Sequence, residues 1–355
     1  MIILFDHRQG LKKGGFVMRM VLLLFCSLFM STISYAAEPG YHVIKKLHLG
    51  GDGGWDYLTV DSPARRLYLS RSTHVMVVDI DTDKLVGDIP DTQGVHGIAL
   101  AQELKRGFIS NGKADTATIF DLNTLKVLGH VKTGANPDAI LYDPAPKRVF
   151  TFNGRSHDAT VFDAVSAKVL GTIALGGKPE FAVADGKGKV YVNIEDTNEV
   201  VEIDSQKLAV MKRFSLKPCE EPTGMAIDTE HHRVFSGCHS KVMAVLDTET
   251  GKVIAFVPIG EGVDGTGFDP RTGLAFSSNG DGTLSVVREA SPGRFEVVET
   301  VATQRGARTM AIDLKTGTIY LPAAEFAPAP PATSEAPKPR PIMIKDSFAV
   351  LVVGK

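Results

Sequence analysis

RRLYLSR (65–71), RGFISN (106–111), RVFTFN (148–153), KVYVNI (189–194), RVFSGC (233–238), LAFSSN (274–279) and TIYLPA (318–323) are seven versions of one phrase, returning roughly every 40 to 45 residues. Each is rich in Val, Ile, Phe and Tyr, which fit a pleated surface. The stretches that separate the runs carry Gly, Asp, Asn and Pro, the residues of tight turns. A second phrase follows after a short turn: VMVVDI, ATIFDL, ATVFDA, EVVEID, VMAVLD, TLSVVR and FAVLVV. Another precedes: DYLTVD, HGIALA, DAILYD, EFAVAD, TGMAID, DGTGFD and RTMAID. Four short strands at this period predict a propeller blade; sandwiches and barrels carry no such fixed long repeat.

Counting the outermost strands closes the ring. KLVGDIP, KVLGHVKTG, KVLGTIALGG, AVMKRFSLK, KVIAFVPIG and FEVVETVAT supply six, and the seventh repeat ends with its third strand. The missing member is HVIKKLHLGG (42–51), which has the form of KVLGTIALGG. The expected architecture is therefore an all-β, seven-bladed β-propeller over residues 37–355, its last blade closed by the N-terminal strand so that no blade edge stays open.

These repeats resemble the YVTN family of β-propeller repeats. Lys189-Val190-Tyr191-Val192-Asn193 matches its tyrosine–valine strand and following Asn, and Gly176-Gly177-Lys178-Pro179 its closing turn. The resemblance spans 41–355 and implies the fold. It implies little about activity, because propellers host unrelated functions.

The composition suits a folded core: 43% of the 355 residues are apolar, which excludes global disorder. Ahead of the repeats, VLLLFCSLFM (21–30) follows Arg19 and precedes Ser34-Tyr35-Ala36. That is the layout of a signal peptide over residues 1–36, with translation starting as late as Met18 or Met20. Its apolar run is too short to span a bilayer. Cleavage near Ala36 places the protein in the periplasm or outside the cell and takes the formal charge from −2 to −5. Such a balance argues against nucleic-acid binding. The mature chain is expected to be a membrane-free monomer.

Cleavage leaves two cysteines. Cys219 lies in the loop leading into the fifth blade and Cys238 ends that blade's second strand, on the same face. A disulfide suits an oxidising compartment; a free pair or two soft metal ligands are the alternatives.

In up-and-down blades the innermost strands line the channel, and their first residues converge. That ring contains Asp56, His96, Asp138, Glu180, Thr223, Asp264 and Arg308. Four carboxylates round a narrow opening repel one another unless a cation or hydrogen-bond donors balance them. Asp56, Asp138, Glu180 and Asp264 offer oxygens to a divalent ion, and His96 would admit a transition metal. Alternatively the residues cap strand ends and pair with Arg308. Asn111, Asn153 and Asn279 recur after the second strand, as turn residues or as ligands from the same face. Trp55, beside Asp56, stacks on a ligand or simply packs. His74, His157 and His239 share these loops and read as surface residues.

One segment departs from the repeat. Seven of the 19 prolines fall between Pro322 and Pro341, six of them in an insertion spanning 326–346. It reads as an extended exposed loop, or as a lid or partner-docking arm.

Familiar catalytic motifs fail their context. Gly260 to Gly265 matches G-x-G-x-x-G between strands with no helix following. Asp79, Asp81 and Asp83 precede Lys84 where a calcium loop needs Gly. No C-x-x-C-H, G-x-S-x-G, H-E-x-x-H or P-loop occurs. The expected function is binding of a small ligand, metal ion or protein partner at the channel mouth. The alternative, by analogy with propeller lactonases, is a metal-dependent hydrolase with His96 as base. Haem or quinone redox chemistry rests on analogy alone.

Overall fold

A computed structural model describes residues 40–331 and 341–355. The expected leader lies outside the described residues, as does the middle of the Pro-rich insertion. Within them stand seven four-stranded antiparallel sheets, each formed by strands consecutive in the chain except the last. In the first blade these are Leu58–Asp61, Arg66–Arg71, His74–Asp79 and Lys84–Ile89. The seventh combines Ala311–Asp313, Thr318–Ala323 and Ala349–Gly354 with His42–His48 from the other end of the chain. His42 pairs with Gly354 and His48 with Ala349, antiparallel. The propeller and its closure are those expected from the repeat.

Each blade's middle strands are covered on both sides by neighbouring blades, which is why they read as continuous apolar runs rather than alternating ones. Leu67, Tyr68 and Leu69 are all buried. Outermost strands have one wet face: Val169 and Leu170 are exposed while Ile173 is buried. Phe108 of the second blade meets Phe162 of the third edge-on, ring centroids 5.8 Å apart.

The repeat also carries polar fasteners. Arg106 donates to the carbonyls of Ala164 and Val165 in the next blade. Arg66 and Arg148 reach Leu122 and Ser205 the same way. Asp121 Oδ1 accepts from the backbone of Asn123 and Thr124, locking its hairpin turn; Asp79, Asp163, Asp204 and Asp247 do likewise. Cys219 and Cys238 form a disulfide, Cα atoms 5.7 Å apart. No helix among the described residues is long and apolar enough to cross a membrane.

Candidate channel-mouth site

Five of the seven ring residues sit inside a bulge. The pairing of first and second strands slips between Val95 and Ile98, Pro137 and Ile140, Pro179 and Ala182, Pro222 and Met225, and Val263 and Gly265. His96, Asp138, Glu180, Thr223 and Asp264 fall within these slips. A bulge bends its strand and re-aims a side chain, which here orients the ring residues at the axis. The convergence spans the channel: Tyr57 of the first blade donates to Glu180 Oε1 of the fourth at 3.4 Å.

The ring backbone is bolted blade to blade. Ser110 donates to the carbonyl of Asp138, Asn193 Nδ2 to that of Thr223 at 2.7 Å, and Ser278 to that of Arg308. Thr309 Oγ1 donates to the Asp56 carbonyl at 2.8 Å, and Thr223 Oγ1 to that of Val263 at 3.0 Å. Thr223 thus spends its side chain on the frame.

The charged side chains divide into three sectors. His96 Nδ1 lies 2.6 Å from Asp56 Oδ2 and 3.5 Å from Asp138 Oδ1. Glu180 Oε2 lies 3.4 Å from Lys178 Nζ, which also pairs with Glu195. Arg308 Nε lies 3.2 Å from Asp264 Oδ2. Asp138, Glu180 and Asp264 are each 8–9% exposed. Burial pushes the Asp138 carboxyl up to about 7 and Asp264 up to about 6, with Arg308 moderating the latter. Glu180 is raised well above the usual range by burial and by the field of Asp138. Burial opposes charge on His96, but its bond to Asp56 and the field of Asp138 win and lift it to about 9.

Whether these groups suit a divalent ion is decided by donor chemistry and spacing. Asp56, His96 and Asp138 each bring one ligand atom, all within 4.8 Å of one another. An imidazole nitrogen with two carboxylate oxygens matches borderline transition ions better than calcium. Asp138 Oδ1 is buried without a hydrogen-bond donor, which is costly in a folded interior. An ion replacing the proton between His96 and Asp56 would satisfy it. The donor set fits. Glu180 and Asp264 stand outside this triad, each turned to its own cation.

The remaining expected residues lie elsewhere. Asn111, Asn153 and Asn279 are fully buried strand residues. Their amides donate to Thr118, Thr160 and Ser285 on the third strand, at 2.8, 3.0 and 3.1 Å. Their backbones are not left-handed; that conformation falls on Ser72, Asp115, His157 and Asn198. Trp55 packs against Phe348, 5.3 Å between centroids, and tilts toward Phe326 at 6.1 Å. His74 and His239 face Asp88 and Glu221.

Sequence reasoning passed over Tyr57, Lys178 and the bolting residues Ser110, Asn193 and Ser278. The last three share one column, the penultimate residue of the second strand, and polar residues recurring in a buried column were a usable signal. Tyr57 had none, because its partner Glu180 comes from a blade distant in sequence, and Lys178, two residues before Glu180, has no counterpart in the other repeats.

No family model matches the chain, and no curated protein does. Among solved structures it is similar to the Kuenenia stuttgartiensis hydrazine synthase, at 14% identity and a TM-score of 0.66 over 84% of this chain and 97% of that one. It is also similar to the structure of U3-55K, at 9% identity and a TM-score of 0.72 over 88% and 99%. Identities this low speak for the shared propeller fold and leave the chemistry to the residues of the channel mouth.

Proposed function

We propose that this chain is an exported, YVTN-like propeller that binds a divalent transition-metal ion at its channel mouth, with His96 Nδ1 and carboxylate oxygens of Asp56 and Asp138 as ligands. The observation that carries this reading is the buried, donorless Asp138 Oδ1 beside an imidazole already drawn to a second carboxylate. Arg308 and Lys178 hold Asp264 and Glu180 to their own sectors, so the triad keeps its two carboxylates. The disulfide supports an oxidising compartment. A binding role is favoured over hydrolysis, because His96 serves as a ligand here and leaves no free base beside the ion.

The test is isothermal titration of the chelator-stripped protein with Zn²⁺, Mn²⁺ and Ca²⁺. The expected result is one site per chain, with Zn²⁺ bound more tightly than Ca²⁺ and lost in Asp138→Asn and His96→Gln. Equal weak binding of all three ions, unchanged in both variants, would refute it.

A further inference from the structure

We propose that the pocket between the channel mouth and the foot of the Pro-rich insertion binds a small molecule carrying one carboxylate on an apolar body. This goes beyond the metal reading: the pocket shares the ring's rim and none of the three ion ligands. Its volume is about 720 Å³, within the size range of small-molecule sites.

The polar end is Arg308. Its guanidinium leans one edge toward Asp264, and its side chain remains 53% exposed. Among the described residues it makes no side-chain hydrogen bond. A rigid fork with unused donors at the wall of a pocket matches a planar carboxylate, which accepts two parallel bonds. Lysine-like point charges would not impose that geometry.

The apolar end comes from the insertion's foot. Ile344 N donates to Glu325 O and Ala327 N to Ile342 O, both at 2.8 Å, and Phe326 bridges to Met343. This short ribbon holds Phe326 and Ile342 up with 44% and 63% of their surface exposed. Both line the pocket together with Met343 and Trp55, whose ring centroid lies 6.1 Å from that of Phe326. Apolar side chains held in water by a hydrogen-bonded ribbon are the mark of a surface that something covers. Charge at one end and apolar walls at the other select the occupant.

Space is kept open by missing side chains. A Cβ at Gly54 would meet only Ser72 Oγ, at 3.8 Å. Gly54 lines the pocket and its backbone is open to L residues, so a larger side chain fits at this wall without backbone strain.

Trp55 is the only Trp in the chain and lines this pocket, so its indole fluorescence reports on the pocket wall. The full chain is titrated, in chelator, with 3-phenylpropionate and decanoate and with their neutral amides. The expected result is a saturable change in Trp55 emission with a carboxylate, about 10-fold weaker or more for its amide. Arg308→Gln should weaken the carboxylate by a similar factor, and Gly54→Leu should abolish binding with the unfolding temperature kept. Should Gly54→Leu fail to fold, Ile342→Asp serves as the second arm, with the same loss expected. Absence of saturable binding by either carboxylate, amides binding equally well, or variants that bind like wild type would overturn the proposal. Because chelator is present throughout, failure of the metal site leaves this outcome untouched.

Discussion

Replacing Asp138 with Asn separates the electrostatic cost of the ring from its use. Burial lifts the Asp138 carboxyl to about 7, against ~3.9 in an unfolded chain. A group with the higher pKa when folded holds its proton more tightly there. The stability it contributes is fully present below the unfolded pKa and is lost as pH rises through 7. At pH 8 the loss is on the order of 4 kcal/mol, from about three pK units at 1.36 kcal/mol each. Asn keeps the shape and drops the charge. It also removes a negative neighbour from His96, whose pKa of about 9 depends partly on Asp138. The net gain should therefore be smaller, about 1–3 kcal/mol at pH 8 in chelator and near zero at pH 4. By calorimetry that is a rise of about 2 °C per kcal/mol for a domain this size. Adding Zn²⁺ at about 1,000 times its Kd stabilises the wild type by about 4.1 kcal/mol and the variant by nothing, so the order of the two melting temperatures reverses. A variant less stable than wild type at pH 8 in chelator, or a gap that ignores pH, would refute the reasoning.

Arg106→Ala should cost about 1–3 kcal/mol in urea unfolding, because it leaves the Ala164 and Val165 carbonyls without their charged donor; a change within 0.3 kcal/mol, on the order of measurement error, would dismiss the inter-blade fastener. Cys219→Ser with Cys238→Ser should lower stability by roughly 3 kcal/mol, since the bridge closes a loop of separation 19; reductant should then have no further effect on the variant's melting curve. Deleting residues 1–48 strips the partner from Ala349–Gly354 and leaves an open edge, so gel filtration should show aggregation or oligomers rather than a compact monomer.

Much of the fold was legible because a propeller repeats its decisions. Seven aligned phrases turn one ambiguous strand into a column, and the absent seventh outer strand located its replacement at His42–His48. The ring was legible for the same reason: Asp56, His96 and Asp138 stand at one register position. Their grouping was not: the three come from consecutive blades, and the register column alone does not set them apart from Glu180 and Asp264. Glu180 and Asp264 looked equivalent to Asp138 until Lys178 and Arg308 drew them aside. The asparagines were misleading. Asn111 and Asn153 end their strands where a turn residue is expected, yet a buried hydroxyl seven residues on, Thr118 or Thr160, captures each amide. That pairing of Asn with a later Thr was in the repeat, and only the burial of both columns gives it meaning. The foot of the Pro-rich insertion was hidden too, because its ribbon rests on backbone hydrogen bonds and on the Ser347 hydroxyl, and the repeat marks neither.

A crystal grown from chelator-stripped protein and soaked in Zn²⁺ at pH 8 offers the most direct check, through an anomalous difference map at the zinc edge. One strong peak is predicted at the channel mouth, about 2.0–2.2 Å from His96 Nδ1 and from an oxygen each of Asp56 and Asp138. A map with no peak there, or with its strongest peak at the exposed histidines, would contradict the metal site.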